Sequence, residues 1–316
     1  MIEDGPGIRT NVFLKGCPLR CKWCSNPFGL SRKPQIAYNQ RKCVLCGACV
    51  AACPENACTI EGGRVQTDRE KCTACGACAE VCLTHARVLV GEEYTAEEVI
   101  QRVREDSAFY RRDGGGLTLS GGEVLMQPEA AEEILRVARA SMIHTAIETS
   151  AYASWERLER LLPLCDLVFV DLKHIDPQAH LRLTGVPNKR ILDNIRRLWT
   201  YAAEKGSPEV VLRLPVIYGL NDDDDTMKAT ARFIAGLPGT VAVNILPYHK
   251  LGITKYEMID LPYPLDPDED GDPARLTAYC DVIRRTAPGA SCSVGGGEID
   301  YCRVRAPNEE VLADHH

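Results

Sequence analysis

Residues 17–24 read Cys17-Pro18-Leu19-Arg20-Cys21-Lys22-Trp23-Cys24, three thiols in a C-x3-C-x2-C run that begins just after a short apolar stretch, Asn11 to Lys15. Three thiolates on a four-iron cluster leave one iron without a protein ligand, and an open coordination position is where a metal centre does chemistry. A cluster that only carries electrons has no use for that opening. Placement matters as much as spacing. If the apolar stretch is a buried strand, the thiols sit at its C-terminal end, where parallel α/β folds put their active sites.

Outward from this run lie two more groups of cysteines. Cys43, Cys46, Cys49 and Cys53 form C-x2-C-x2-C-x3-C followed by Pro54, and Cys72, Cys75, Cys78 and Cys82 repeat the spacing with Leu83 in place of the proline. Bacterial two-cluster ferredoxins have this spacing, and in them the fourth cysteine of each run ligates the other run's cluster. The expected sets are therefore Cys43, Cys46, Cys49 and Cys82 for one [4Fe-4S] cluster, and Cys72, Cys75, Cys78 and Cys53 for the second. Lys42 and Lys71 precede the runs and Gly47 and Gly76 sit inside them, an internal repeat of about thirty residues. Zinc is the alternative, but zinc pairs usually come as two plus two, without a third cysteine at the same interval.

The chain has 316 residues and 16 cysteines, too long for a small secreted scaffold that relies on disulfides instead of a core. The five cysteines outside the runs, Cys58, Cys165, Cys280, Cys292 and Cys302, are expected to be buried small hydrophobes. With 45% hydrophobic and 26% charged residues the chain can bury an ordinary core, which excludes disorder for most of it. Lys and Arg number 37 against 44 Asp and Glu, a net charge of −7 that argues against a broad nucleic-acid footprint. Residues 1–7 have neither a basic nor an apolar leader region, and no apolar run reaches membrane length. The expectation is a cytoplasmic protein with no membrane or nucleic-acid partner.

Six apolar runs rich in Val, Leu, Ile and Thr read as buried strands: Asn11 to Lys15, Leu117 to Ser120, Thr145 to Glu148, Leu167 to Leu172, Glu209 to Leu214 and Thr240 to Leu246. Helical patterns lie between them. Thr95 and Glu98 make a capping box ahead of Val99 and Val103. Ile134, Leu135, Val137 and Ala138 form one apolar stripe; Leu192, Ile195, Leu198 and Ala202 form another, which Gly206 ends. Strands joined by helical crossovers predict a parallel α/β barrel or part of one. The expected division is residues 1–38 for the start of the barrel, 39–91 for a ferredoxin-like insert flanked by Pro34 and Gly91, and 92–316 for the remainder. Chemistry-bearing residues recur at the strand ends: Cys17 to Cys24, Ser120-Gly121-Gly122-Glu123, Glu148-Thr149-Ser150, Asp171 with Lys173, Arg213, and Tyr248-His249. That convergence marks one active-site mouth.

The run Gly16 to Pro27, preceded by Asp4-Gly5-Pro6-Gly7-Ile8-Arg9-Thr10, resembles the radical S-adenosylmethionine (SAM) enzymes that activate glycyl radical enzymes, and the resemblance covers nearly the whole chain. It implies a partial (β/α)6 radical SAM barrel carrying an inserted ferredoxin-like 2[4Fe-4S] domain. It implies three [4Fe-4S] clusters in all, the first held by Cys17, Cys21 and Cys24 and binding SAM at its open iron. One electron into the sulfonium then yields methionine and a 5′-deoxyadenosyl species that takes hydrogen from a backbone glycine of a partner enzyme. Gly121, Gly122 and Glu123 match the segment that contacts the SAM ammonium, although Val124 replaces the usual proline. Asp171-Leu172-Lys173 matches the segment at the SAM and peptide site, and Thr184-Gly185-Val186-Pro187-Asn188 continues its pattern. Glu148 and Thr149 match a segment near the SAM carboxylate, with a monovalent cation among the implied ligands; Ala151 stands where glycine is expected. Arg213 is expected to hold an anion, the SAM carboxylate or ribose, and His249 to contact SAM, with a general base or a plain polar residue at a strand end as its alternatives; a flavodoxin or ferredoxin type reductant is the expected electron donor.

Other readings compete at several places. Asp171 and Lys173 could form a plain salt bridge at the barrel rim. Gly121-Gly122 could be a turn. Asp222 to Asp225 lack calcium-loop spacing and read as a charged helix start, Asp266 to Asp272 as an acidic surface loop, and His144 and His174 as structural. At the level of function, the alternatives are a radical SAM enzyme acting on a small molecule or RNA, and an electron-transfer protein.

Overall fold

The apolar runs fold as strands, and the structure, a computed structural model describing residues 5–266 and 272–295, sets them in this order. β1 (Arg9–Leu14) leads through the first cysteine loop into β2 (Gln35–Tyr38). Then come α1 (Ala48–Ala51), the hairpin of β3 (Cys58–Glu61) and β4 (Arg64–Thr67), α2 (Ala77–Glu80) and β5 (Arg87–Val90), which returns antiparallel to β2. After α3 (Ala96–Glu105) and α4 (Ser107–Asp113), strands and helices alternate: β6 (Gly116–Gly121), α5 (Pro128–Ala140), β7 (His144–Thr149), α6 (Trp155–Glu159), β8 (Leu167–Asp171), α7 (Pro177–Thr184), α8 (Lys189–Lys205), β9 (Glu209–Val216) and α9 (Asp224–Ala235). β10 (Val241–Pro247), α10 (Ile253–Met258), α11 (Pro273–Thr286) and β11 (Ala290–Val294) complete the described chain.

Seven strands form one parallel sheet in the order β1-β6-β7-β8-β9-β10-β11. Six of them are the expected strands of the partial barrel. β11 extends the sheet beyond β10, an element that Ala290-Ser291-Cys292-Ser293-Val294 announces weakly because it is short and half polar. Alternation along each strand sorts the side chains into two faces. Leu117, Leu119, Ile147, Val168, Val170, Leu212, Leu214, Val243 and Ile245 meet the helices in one continuous core, with Leu135, Leu158, Ile195, Ile234 and Ile283 opposite them. Each such side chain contributes about 1.5–3 kcal/mol on burial. The other face carries a small apolar set, Ala146, Leu167, Phe169, Val211 and Ala242. Two residues further along the same strands stand Glu148, Asp171, Arg213 and Asn244. The barrel interior therefore turns from apolar to polar toward the C-terminal strand ends.

The helix signals act as the sequence predicts. Thr95 accepts from the Glu98 amide and Glu98 reaches back to the Thr95 amide, closing the capping box of α3. Gly206 ends α8 in the left-handed conformation, φ +71°. Asp223 caps α9 by accepting from the Asp225 and Thr226 amides, so the aspartate run is a helix start. Gly91 has φ +99°, and a side chain there would collide with Lys15 beside Pro34; the chain thus leaves the insert against the point where it entered.

The leftover cysteines need one correction. Cys58 and Cys165 are buried thiols, as expected, but Cys280 of α11 and Cys292 of β11 form a disulfide. They lie twelve residues apart, and the helix-to-strand return brings their Cα atoms to 5.6 Å, within disulfide range. Cys302, Asp4 and most of the acidic run 266–272 lie outside the described residues. Among the described residues no helix is long and apolar enough to cross a membrane.

Candidate functional site

The loop carrying Cys17, Cys21 and Cys24 is clamped by backbone on two sides. Gly16 donates its amide to Gly29 O (2.8 Å), Gly122 to Leu14 O (2.8 Å) and Glu123 to Gly16 O (2.8 Å). A Cβ on Gly122 would lie 2.3 Å from Gly29 O and 2.4 Å from Gly16 O, so glycine is required for this approach. Gly121 and Gly122 thus seal the cluster loop onto the end of β6. From the far side, Arg20 donates to Thr184 O (2.7 Å) and Lys22 to Leu183 O (3.1 Å), which ties the loop to the Thr184–Asn188 segment. Asn188, buried, donates in turn to His174 O and Ile175 O, folding that segment against Lys173.

Burial pushes the Cys17 thiol up to about 12, with Glu123 adding to the rise. Cys21 is pushed up to about 11, again by burial, with Lys173 pulling the other way. A metal taken up by these thiols would therefore have to displace protons, as thiolate coordination in general does. Lys173 is the cation these thiols face.

Beside the loop, the polar layer of the barrel forms a four-member ion network. Lys173 Nζ lies 3.0 Å from Asp171 Oδ2, Arg213 Nε lies 3.6 Å from Asp171 Oδ1, and Arg213 Nη1 bonds Glu148, whose other oxygen accepts from Ser120 Oγ. Parallel registry explains the meeting, since Asp171 and Arg213 are direct neighbours across β8 and β9. Burial opposes the Asp171 charge, but Lys173 and Arg213 prevail and hold its carboxyl below the usual range. Lys173 is likewise held charged by Asp171 against its burial. Two cations and two carboxylates balance, and the guanidinium also stands 5.2 Å from the centre of the Phe169 ring. The rim salt bridge considered above is present, as part of a larger network.

Glu123 has a different task. At 2% exposure its carboxylate accepts from Leu125 N (3.1 Å), Thr149 Oγ1 (2.6 Å), Ser150 N (2.8 Å) and Ser150 Oγ. It fastens the loop after β6 to the loop after β7, and Thr149 is used in the same contact. Ala151, where glycine was expected, has φ +57°, so the position does need the left-handed conformation that glycine adopts freely. Asn194 holds it there by donating to Ala151 O and Ala153 O. His249 follows β10 as an exposed residue, apart from this network.

Sequence reading placed Ser120 and Tyr248 at strand ends without giving them a role, and did not single out Asn221, Gly29, Gly252, Tyr256 or Tyr263. Asn221 donates to Lys173 O and Pro215 O. A Cβ on Gly252 would lie 2.7 Å from Cys24 O. Tyr248 and Tyr263 share a hydroxyl contact of 2.7 Å, and Tyr256 packs edge-on against Tyr263. These residues come from loops far apart in sequence, and no spacing rule joins them.

The Gly5–Thr10 part of the Asp-Gly-Pro-Gly-Ile-Arg-Thr segment works at the opposite end of β1. Buried Arg9 bonds Thr118 Oγ1 (2.7 Å), Leu117 O (2.6 Å) and His144 Nδ1 (3.2 Å), and Thr10 donates to Asp106 (2.7 Å). These contacts pin the first strand to its neighbours. His144 is structural in this way, and His174 accepts from the Asp176 amide.

In the insert the repeat extends to the backbone, residue for residue at an interval of 29. Leu45 and Ala74, Gly47 and Gly76, and Asn56 and His85 all have positive φ. Its core consists largely of sulfur: Cys49, Cys58 and Cys78 are buried with Ile36, Tyr38, Val65 and Ala86, and Cys43, Cys53, Cys72 and Cys82 pack against them. A small pocket is lined by Cys72, Cys75, Cys78 and, from the other run, Cys53. Those four are the set expected for the second cluster, and the donor chemistry fits an iron–sulfur group. Cys58 lines the same pocket. Among the described residues, no three His, Cys, Asp or Glu side chains close around a single metal ion.

Comparison with known proteins adds five findings. The model of the Radical SAM superfamily matches residues 69–233, and that of the 4Fe-4S dicluster domain matches residues 35–83. The chain is 43% identical to the choline trimethylamine-lyase activating enzyme of Oleidesulfovibrio alaskensis over 86% of each chain. It is 45% identical to the isethionate sulfite-lyase activating enzyme of the same organism, over 84% of this chain and 85% of the other. Streptococcus suis SuiB, solved with S-adenosylmethionine, is similar in fold at a TM-score of 0.53 and 13% identity, covering 91% of this chain and 50% of that one.

Proposed function

The chain belongs to the radical SAM enzymes that activate glycyl radical enzymes, and from that premise we propose how its residues divide the work. It binds SAM and iron–sulfur, cleaves SAM reductively and generates a radical on a glycine of a partner enzyme. SAM bound at the open iron supplies the hydrogen-abstracting species.

In our proposal Cys17, Cys21 and Cys24 hold the catalytic cluster on a loop fixed by Gly121 and Gly122, whose segment also presents backbone to the SAM ammonium. Lys173 places its cation beside these thiols and, with Asp171, Arg213, Glu148 and Thr149, frames the SAM carboxylate and ribose; a monovalent cation beside Glu148 and Asp171 belongs to the same proposal. Glu123 orients the two loops, and His249 approaches SAM from the rim. Cys43, Cys46, Cys49 and Cys82 hold one relay cluster and Cys72, Cys75, Cys78 and Cys53 the other, three clusters in all. A flavodoxin or ferredoxin type protein delivers electrons to the 39–91 insert, which passes them to the 1–38 and 92–316 barrel, in the cytoplasm. The observation that carries this reading is the meeting, at one set of strand ends, of a three-thiol loop and a charge-balanced network around Lys173.

The two relatives, nearly equal in identity, are named for different partners, so likeness assigns the class of partner rather than the individual enzyme. Anaerobic reconstitution followed by iron analysis is the first test. About twelve irons per chain are expected for three four-iron clusters. About eight would remove the catalytic cluster or one relay, and zinc without SAM cleavage under reductant would contradict the assignment.

A further inference from the structure

Arg87 opens β5 and is 2% exposed, in the core of the insert. A guanidinium taken out of water needs anions or acceptors around it. Its Nη2 donates to Thr67 Oγ1 (2.7 Å) and its Cζ lies 5.7 Å from the Tyr38 ring centre, but Nε and Nη1 have no hydrogen-bond partner. Burial opposes its charge, and the groups that sustain it are thiols, Cys58 first, then Cys78 and Cys49. Cys49 and Cys78 are the third cysteines of the two runs. The cation therefore interacts with one thiol of each ligand set.

The repeat sharpens the point. Cys58 and Arg87 each follow the fourth cysteine of their own run by five residues, and each is the first residue of a strand. Equivalent positions in two copies of one fold thus carry a thiol and a guanidinium, which breaks the symmetry of an otherwise matched pair of sites. The Cys58 side borders the pocket ringed by Cys53, Cys72, Cys75 and Cys78.

We propose that Arg87 sets the two insert clusters at different potentials, donating its unpartnered N–H groups to sulfur of the cluster bounded by Cys78 and placing its charge closest to that one. This rests on the reading that the insert holds two clusters. Net charge and hydrogen bonds to sulfur are the levers by which a protein sets the potential of such a cluster, and a cation with N–H donors favours the reduced, more negative form. The Cys53, Cys72, Cys75, Cys78 cluster is then the one on which an incoming electron rests. Arg87 acts on the cluster through space and is not a ligand.

The test is potentiometric titration followed by electron paramagnetic resonance on the full chain, reconstituted anaerobically as wild type, Arg87→Gln and Arg87→Lys, with dithionite as reductant. The catalytic cluster serves as internal reference, identified as the signal that changes when SAM is added. The proposal expects the midpoint of one insert cluster to fall in Arg87→Gln by more than that of the other, an intermediate fall in Arg87→Lys, and no shift in the reference. Unchanged insert midpoints in a fully loaded Arg87→Gln overturn it. Should Arg87→Gln fail to retain its clusters, Arg87→Lys decides: a lower midpoint than wild type supports the proposal and an equal one overturns it. A wild-type chain with about four irons and no insert signals removes the two-cluster reading beneath the proposal.

Discussion

Gly122 has no side chain to contribute, yet it is the residue on which the three-cysteine loop closes. A methyl group there would fall within 2.4 Å of two carbonyl oxygens, on Gly29 and Gly16, and backbone cannot yield as a flexible side chain can. Gly122→Ala should cost about 1–3 kcal/mol of stability, an overpacking penalty. It should also lower retention of the Cys17, Cys21, Cys24 cluster while the insert keeps its iron. Denaturant midpoints and iron counts check both. Asp171 gives a prediction in pH. Its folded pKa lies below the ordinary 3.8, so its contribution is present above that value and is lost as pH falls through the lower, folded one. Asp171→Asn should therefore be less stable than wild type at pH 5–7, with the gap closing below pH 3.8. A gap of constant size across that range, measured by urea denaturation, would contradict the assigned charge state.

The elements show how much a linear reading can hold. Strands β1, β6, β7, β8, β9 and β10, the capping box of α3 and the end of α8 were legible because each follows from a local rule: apolar runs, cap chemistry or glycine's freedom at positive φ. Thr95→Ala should cost about 1 kcal/mol through loss of the cap, with iron content and SAM cleavage unchanged, since α3 stands away from the site. β11 was not legible, because a five-residue half-polar run carries little periodic signal, and the Cys280–Cys292 link depends on the return that β11 makes. The same distinction applies to the site. Cysteine spacing is local and picks out candidate ligands, and the strand ends could be found once the strands were. Ser120 bonding Glu148, Asn221 supporting Lys173 and Gly252 under Cys24 are products of the closed fold, joining segments 28 to 228 residues apart.

Among the described residues the insert and barrel meet beside Lys15 and again at Asp260. The chain enters and leaves the insert beside Lys15, whose Nζ donates to Phe28 O (2.6 Å) at the edge of the catalytic loop. At a distance from that point, Asp260 pairs with Arg69 (2.7 Å) and Arg64 (3.1 Å) of the insert, and Arg69 also donates to Met258 O. Such partly exposed pairs contribute little to stability singly, but they fix orientation, which is what the proposed electron delivery between two sites would require. The molecule then has one outcome to produce, removal of a hydrogen atom from a glycine in another protein. The measurement closest to that claim supplies reconstituted, reduced chain and SAM to choline trimethylamine-lyase and isethionate sulfite-lyase, each made with deuterated glycine, and follows the label. The account predicts that with a cognate enzyme deuterium appears in 5′-deoxyadenosine as a glycyl radical signal grows, both in proportion to SAM consumed. Cleavage of SAM that stays unlabelled in the presence of every glycyl radical enzyme offered, with the label found to come from a small molecule or RNA instead, would contradict it.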